Sequence, residues 1–587
     1  MPPRPLALLL HGPFAGERAE RFGIRAPREK GRMQLGVPEL VEALGRPEAY
    51  PHDESARAGV TCVQTHLSVV FLTGARVYKF RKPVSLPFVD FSTRAERNRD
   101  CLREVRLNRR LAADVYLGVA ALTGARGRIA VGPTREALVG PAEGGEVPEH
   151  CVVMRRLPAG TDALSRLRRG ELGEEHLAHA ARVLAEFHAT ARFSRPPLRA
   201  AEWLEHVEAP VRANFEVLSE VDLPGIDRAE VARIEAAARR HFAEIADALE
   251  ARRVSGRIVD GHGDLHLEHL WFESGPERPI FIDCIEFSEN LRILDTASEV
   301  AFLAMDLEYR ERGDLAAFFL SEYASRADDY PLFSVVDYYL SYRAAVRAKV
   351  EALAAGDPSI EAPQREAASQ SARRHLELAA RALRPRGRGV VVATCGPIGT
   401  GKSSVARELV RRLRGVRIAS DPLRKRLAGL SPEARAGAEF GRGIYTPEWS
   451  CRVYRGLVER ARPVVESGRV AVLDATFATR RRREELRRAL EELDVPGILV
   501  EIRCPREVAL ARLVRRQAEG RDPSDAGPEL FEKSAAAFEE PREWPTGSRA
   551  VVDTSAPDWR ERAGELAERI ASLLSGGAPR ARVEGAR

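Results

Sequence analysis

Along the first two thirds of the chain, short apolar runs with a two-residue period alternate with stretches of helical spacing. LSVVFL (67–72) and RVYKF (76–80) flank a TGA turn and predict a β-hairpin. ERNRDCLREVRLNRRLA (96–112) carries helical spacing, and GRIAVG (127–132) and HCVVMRRL (150–157) predict further strands. Helical patterns fill 160–255 and 295–383, with one strand, PIFIDCIEF (279–287), between them. From 389 the texture changes. GVVVATCG (389–396) is a continuous apolar run, and VRIAS, RVAVLDATF, GILVEIRCP and RAVVDTS repeat that character up to about 573, with helical spacing between them. Strands alternating with helices predict a parallel sheet. No internal repeat is visible.

These patterns predict units at 35–157, 158–383 and 389–573, with RPRGRG at 384–389 marking a linker over 384–388. Residues 1–34 are Arg/Gly/Pro-rich and are expected to be a disordered arm, or to precede a true start at Met33; 574–587 is expected to be a disordered tail. Composition narrows the class. A formal charge of +6 on 587 residues is small and does not argue for a nucleic-acid partner. Seven scattered cysteines without a C-x-x-C favour free thiols. No apolar run approaches the ~20 residues needed to span a bilayer, so no membrane association is expected and the expected location is the cytoplasm. Only seven of the 92 basic residues are lysines, including Lys79 and Lys402. A lysine retained in so Arg-rich a chain points to a compact point charge on phosphate. Oligomeric state does not follow from the sequence.

The stretch Gly396-Pro397-Ile398-Gly399-Thr400-Gly401-Lys402-Ser403-Ser404 matches G-x-x-x-x-G-K-[ST] between an apolar strand and a helix. Backbone N–H groups of such a loop, with the helix dipole, cradle phosphates. Lys402 would bridge phosphate oxygens and Ser403 would hold Mg²⁺. The next strand runs into Asp421-Pro-Leu-Arg424, which sets a carboxylate able to take a hydroxyl proton beside a guanidinium able to hold an anion. Asp421 as a helix cap is the structural alternative. Asp474 ends the strand AVLD, where Mg²⁺ or its water needs an acid. Arg512 and Arg516 share a helix face and are candidates to clamp developing charge, or a solvated face. Together these features resemble the P-loop kinases that include gluconate kinase, the kinase part of polynucleotide kinase and zeta-toxin-like proteins. That resemblance implies ATP-dependent phosphorylation of a hydroxyl, most simply on a small molecule. The D-x-x-R spacing keeps a polynucleotide 5′-hydroxyl kinase open.

The stretch GHGDLHLEHLWF (261–272) places His262, Asp264, His266, Glu268 and His269 within eight residues. A metal-hydrolase reading needs convergent ligands, and side-chain alternation along an extended segment is expected to keep all five from converging. A phosphotransfer reading uses more of the chain. His262 and Asp264 match H-x-D-x-x-x-x-N, with Asp264 as base and His269 in the metal-binding Asn position. Asp283 follows fourteen residues later as the second metal ligand. Upstream, Lys79 ends VYK, and Glu104 on the next helix offers it an ion pair. Arg343 and Arg347, at i, i+4 on a later helix, are candidates for an anionic substrate or a plain surface face.

The form HGDLH, together with THLSVVFLTGARVYKFRKPV, IDCIEF, DTASEVAFLAMDLE and YLSYRAAVRAKVEAL, resembles the bacterial aminoglycoside phosphotransferase-like family that is often fused to a P-loop ATPase. The resemblance covers about 35–383 and, with the C-terminal part, nearly the whole chain. It implies a two-lobed kinase-like fold, with ATP between a β-rich small lobe and a helical large lobe joined near Met154–Leu157, followed by a parallel α/β P-loop domain. It departs from the kinase pattern in two places: no G-x-G-x-x-G covers the phosphates, where THLS (65–68) would stand in, and His269 replaces Asn. The expectation is a bifunctional ATP- and Mg²⁺-dependent phosphotransferase; the alternative is a degenerate N-terminal kinase that senses a ligand and regulates the P-loop part.

Overall fold

The computed structural model describes residues 36–65, 67–86, 89–124, 129–140, 147–220, 226–431, 443–519 and 527–575. The expected disordered arm (1–34), all but the first two residues of the expected tail (574–587) and His66 of the THLS loop lie outside these residues. The chain forms two compact units. The first takes the chain up to Glu311 together with Asp337–Leu383; the second takes Arg312–Val336 together with the chain from Arg384 onward. The expected large lobe 158–383 is therefore interrupted: a helix (Gly313–Ala327) and a short 3₁₀ turn (Tyr330–Ser334) from its middle pack in the second unit. There Ser321 Oγ accepts from the Arg417 N–H at 3.0 Å, and Asp328 pairs with Arg460 at 2.6 Å. Helical spacing identifies a helix but not the core it faces, so this exchange leaves no mark on the sequence pattern.

The first unit opens with a six-stranded antiparallel sheet in the order Thr61–Gln64, Ser68–Leu72, Arg76–Arg81, His150–Arg155, Tyr116–Thr123, Ala130–Val131. Alternation sorts its two faces. Tyr78 and Phe80 enter a core with Val69, Phe71 and Val153, which leaves Lys79 on the opposite face. The helix Arg94–Asn108 follows, capped by Thr93, whose side chain accepts from the Glu96 N–H at 3.2 Å. Its buried residues include Arg97, Asn98, Asp100, Glu104 and Asn108, a polar load that packing alone does not call for. Four helices then occupy Ala163–Arg168, Glu174–Thr190, Ala200–Glu220 and Arg228–Val254. The expected strand 279–287 is shorter in the structure, Pro279–Phe281. Beyond it Asp283 adopts a left-handed backbone (φ 64°), and its N–H donates to the Tyr116 hydroxyl at 3.1 Å instead of to a neighbouring strand.

The second unit is a five-stranded parallel sheet in the order Val416–Ala419, Val470–Asp474, Val390–Cys395, Gly497–Arg503, Arg549–Asp553. Its strands Val390–Cys395 and Val470–Asp474 are buried on both faces, as continuous apolar runs require. The central strand leads into the glycine loop and the helix Lys402–Leu413. Among the described residues, no helix is long and apolar enough to cross a membrane.

Candidate functional site

In the first unit the dispersed residues meet. Lys79 Nζ lies 2.9 Å from Glu104 Oε1 and 2.9 Å from Asp283 Oδ1. Burial acts to lower the Lys79 pKa, but Asp283 and Glu104 overcome it and hold the ammonium above its ordinary range. Burial would raise Asp283; Lys79 and then His269 keep it well below the carboxylate range. His269 Nδ1 sits 2.8 Å from the Asp264 carbonyl, and its Nε2 lies 3.5 Å from Asp283 Oδ2. Asp264 has His266 Nε2 at 3.7 Å and His269 Nδ1 at 3.6 Å from Oδ2. Burial would raise its pKa, and the neighbouring histidines, His266 first, bring it below its ordinary value. Met154 pairs with Val77 and Tyr116 on the last strand before the chain enters the helical part.

The five polar residues of the loop do not all converge, but three of them do. Asp264, His266 and His269 bring ligand atoms within 4.8 Å of one another, because a 3₁₀ turn (Leu267–His269) breaks the extended run. Glu268 is half-buried. Burial and the nearby Asp306 raise its carboxyl pKa to about 7.

Several residues that sequence reasoning missed hold this loop. Glu299 accepts the N–H groups of His262 at 2.6 Å and Gly263 at 2.8 Å. Burial would raise its pKa, but the contact from His188 and these bonds lower it to about 2. A Cβ on Gly261 would lie 2.1 Å from Glu299 Oε2, so only glycine fits there. His262 is scaffolding: burial lowers its pKa to about 4, and its Nε2 faces the Ile282 carbonyl at 2.9 Å. Arg81 ties Glu104 (2.5 Å) to Asp100 (2.7 Å) and also contacts Glu286, whose pKa burial raises to about 8. Asn108 accepts the Cys284 N–H at 2.8 Å. The only sequence signal for this group is the polar load on one helix face. Arg343 departs from the substrate role expected of it. It is buried, donates to the Gly263 carbonyl (3.2 Å) and Ser298 Oγ (3.2 Å), and lies over Phe302; it positions the loop. Arg347 is half-buried, with Glu351 at 3.5 Å.

In the second unit the glycine loop follows the central strand directly. Gly396 has φ 143°, and a Cβ there would meet the Ile502 carbonyl at 2.5 Å; Gly401 caps the helix at φ 94°. Pro397, Ile398, Gly399 and Thr400 complete the loop. The Pro397 carbonyl accepts from Lys402 Nζ at 2.6 Å, the Ile398 N–H donates to Ser534 Oγ at 3.2 Å, and Thr400 Oγ1 donates back to Pro397 at 2.9 Å. Burial pulls the Lys402 pKa down to about 8, with Asp474 and Asp421 opposing. Ser403 and Ser404 stand in the helix's first turn, and Ser403 contacts Asp474. Asp421 lies in the first turn of the helix Ser420–Leu427. Arg424 is buried, donates to the Ile444 carbonyl at 2.7 Å and lies over the Tyr445 ring. Arg512 braces the loop: it donates to Thr554 Oγ1 at 2.7 Å, and that hydroxyl donates to the Thr400 carbonyl at 2.6 Å. Arg516 is close enough to Lys402 to lower its pKa.

One partner was not anticipated. Arg417 pairs with Asp474 at 2.5 Å, occupying the carboxylate expected to serve a metal. Burial would raise the Asp474 pKa; Arg417, Ser403 and Lys402 lower it.

Comparison with known proteins places the two parts of the chain in known families. Residues 76–333 match the family model described as "Phosphotransferase enzyme family", and 391–541 match one described as "AAA domain". Uncharacterized protein Rv2004c of Mycobacterium tuberculosis (strain ATCC 25618 / H37Rv) is 34% identical over 505 residues, covering 85% of this chain and 93% of that protein. Uncharacterized protein Mb2027c of Mycobacterium bovis gives the same values. Among solved structures, a choline/ethanolamine kinase family protein from Mesorhizobium loti is 15% identical (TM-score 0.34), covering 58% of this chain and 99% of that one. A gluconokinase from Sinorhizobium meliloti 1021 is 19% identical (TM-score 0.23), covering 33% and 96%. The chain belongs to the family, with Rv2004c as a relative along most of its length, that fuses an N-terminal aminoglycoside phosphotransferase-like domain of the phosphotransferase enzyme family to a C-terminal P-loop AAA domain.

Proposed function

We propose that both units transfer the ATP γ-phosphoryl group to a hydroxyl of a small molecule. The observation that carries this reading is the convergence of Lys79, Glu104 and Asp283 beside Asp264, from four separate parts of the chain. Lys79 and Lys402 hold phosphate oxygens. Asp264 in the first unit and Asp421 in the second accept the proton as the acceptor oxygen bonds to phosphorus and the bond to ADP breaks. Met154 borders the adenine side, Arg516 faces the transferred charge, and Arg347 and Arg424 lie on the acceptor side. Bound Mg²⁺ supplies charge neutralisation at the phosphates. The oxygens of Ser403 and Asp474 suit it, once Arg417 yields the carboxylate. In the first unit Asp283 suits it, but the imidazole of His269 does not.

The test is a screen of a metabolite pool with γ-labelled ATP, using the full chain and its Lys79→Ala and Lys402→Ala variants. Each variant should lose one class of labelled product and keep the other. Loss of all labelling in Lys402→Ala alone would reject transfer by the first unit. That outcome is what the second reading requires, in which the first unit senses a ligand and regulates the P-loop unit. One observation favours it: Arg312–Val336, flanked by first-unit chain, supports Arg417, the partner of Asp474.

A further inference from the structure

Asp283 pairs with Lys79 from a backbone conformation that side chains other than glycine rarely adopt. At φ 64° it lies in the left-handed region, which Asp tolerates better than most but which persists only where the surroundings fix it. Here four consecutive amides fix it. The Ile282 N–H donates to the His269 carbonyl and the Ile285 N–H to the His262 carbonyl, both at 3.0 Å. Between them, the Asp283 N–H donates to the Tyr116 hydroxyl at 3.1 Å and the Cys284 N–H to Asn108 Oδ1 at 2.8 Å. The outer two acceptors belong to the loop that carries Asp264. The inner two are side chains from the antiparallel sheet and its helix.

Tyr116 reaches this position through an irregularity in its strand. Val119 pairs with Val152, and Val152 with Lys79, so these three share one face of the sheet. A strict two-residue period would put Tyr116 on the opposite face, with Ala120 and Leu122. A bulge between Tyr116 and Gly118 gives this strand one residue more than its partner and turns Tyr116 to the face of Val119. Arg109 braces the bulge, its Nε donating to the Tyr116 carbonyl and its Nη2 to the Leu117 carbonyl, both at 2.7 Å. Its neighbour Asn108 also donates from Nδ2 to the Glu104 carbonyl at 3.0 Å. One helix end thus serves both acids that flank Lys79.

We infer that Tyr116 and Asn108 are positioning residues for phosphate transfer by the first unit: they fix the Asp283 segment in the orientation that sets its carboxylate against Lys79 before a nucleotide arrives. Both act through Asp283 and not on the reacting atoms. The inference rests on the reading of this cleft as a phosphate-transfer site, but its first measurement needs no nucleotide.

That measurement is amide hydrogen exchange, resolved to Ile282–Ile285, in the full-length nucleotide-free protein. Tyr116→Phe keeps the ring and removes only the acceptor. It should speed exchange at Asp283 by at least about tenfold, the scale of one buried hydrogen bond, and leave the helix Glu174–Thr190 unchanged. Asn108→Ala should do the same at Cys284. The second measurement is binding of Mg²⁺·ATP in full-length Lys402→Ala protein, where the bound nucleotide reports on the first unit. Tyr116→Phe should weaken it by about tenfold, within the range of couplings between residues in contact. In an Asp283→Asn background the same substitution should add nothing, because Tyr116 acts through that acid. A purely structural Tyr116 would instead weaken binding by the same factor in both backgrounds. Unchanged exchange at Asp283 in Tyr116→Phe, or equal losses of affinity with and without the Asp283 carboxylate, overturns the inference. Faster exchange in a first unit that binds no ATP would leave the orienting role standing and reject the phosphate-transfer reading. Phosphate transfer by the first unit with unchanged exchange would do the reverse.

Discussion

The two candidate sites are built by opposite routes. In the second unit the glycine loop is one contiguous stretch, Gly396 to Ser403, of the kind whose backbone N–H groups can cradle phosphates. In the first unit no loop suffices: Lys79, Glu104, Asp264 and Asp283 are separated by up to 204 residues and meet only because a buried polar frame holds each element. A contiguous site depends on local backbone geometry. An assembled site depends on every element that aligns it, and is correspondingly easier to break from a distance.

The sharpest contrast comes from removing each lysine. Lys402→Ala and Lys79→Ala should each lower transfer at their own site by about 10²–10³-fold, the usual cost of losing a preorganised group at the reacting phosphate, measured as product-specific rates. A smaller but more telling effect should come from Glu299→Ala. It removes the acceptor for two loop N–H groups and the partner of His188, and should destabilise the first unit by about 3–5 kcal/mol, read by urea unfolding. No remote residue of the second unit is expected to match it. The Glu299 pKa is depressed to about 2, so its contribution is present above about pH 4.5 and is lost as pH falls towards 2.

Two weaker effects concern pH. Lys402 has its pKa lowered to about 8, so it loses its charge as pH rises through 8. ATP phosphates should restore that proton, and calorimetry in buffers of different ionisation enthalpy should show proton uptake on ATP binding above pH 8. Glu268 has the opposite sign. Its carboxyl pKa is raised to about 7, so the folded state holds a proton that the unfolded state releases, and stability falls as pH rises from about 4.5 to 7. Glu268→Gln should remove that fall, seen as a higher melting temperature than wild type at pH 8 and little difference at pH 4.5.

The same contrast explains what was legible in the sequence. Gly396–Ser403 could be read because spacing in sequence is spacing in the site. Lys79, Glu104, Asp264 and Asp283 could be read because their order and elements follow a known pattern. Glu299, Arg81, Tyr116 and Asn108 could not, since they act by burial and hydrogen bonding, which leave no periodic trace. Arg343 stays open in the sequence for the same reason: an arginine on a helix looks alike whether it meets a ligand, faces solvent or holds a loop. The strand at 279–287 ends early because Asp283 turns left-handed, its N–H meeting the Tyr116 hydroxyl and its carboxylate Lys79. The segment Arg312–Val336 has ordinary helical spacing whichever core it serves.

The measurement closest to the central claim, that the assembled site transfers phosphate, compares full-length Lys402→Ala with the Lys402→Ala/Asp264→Asn double variant in the labelled metabolite pool. The expected result is a residual ATP-dependent product in the first that disappears in the second. No product in the first, or an equal amount in both, would contradict the claim.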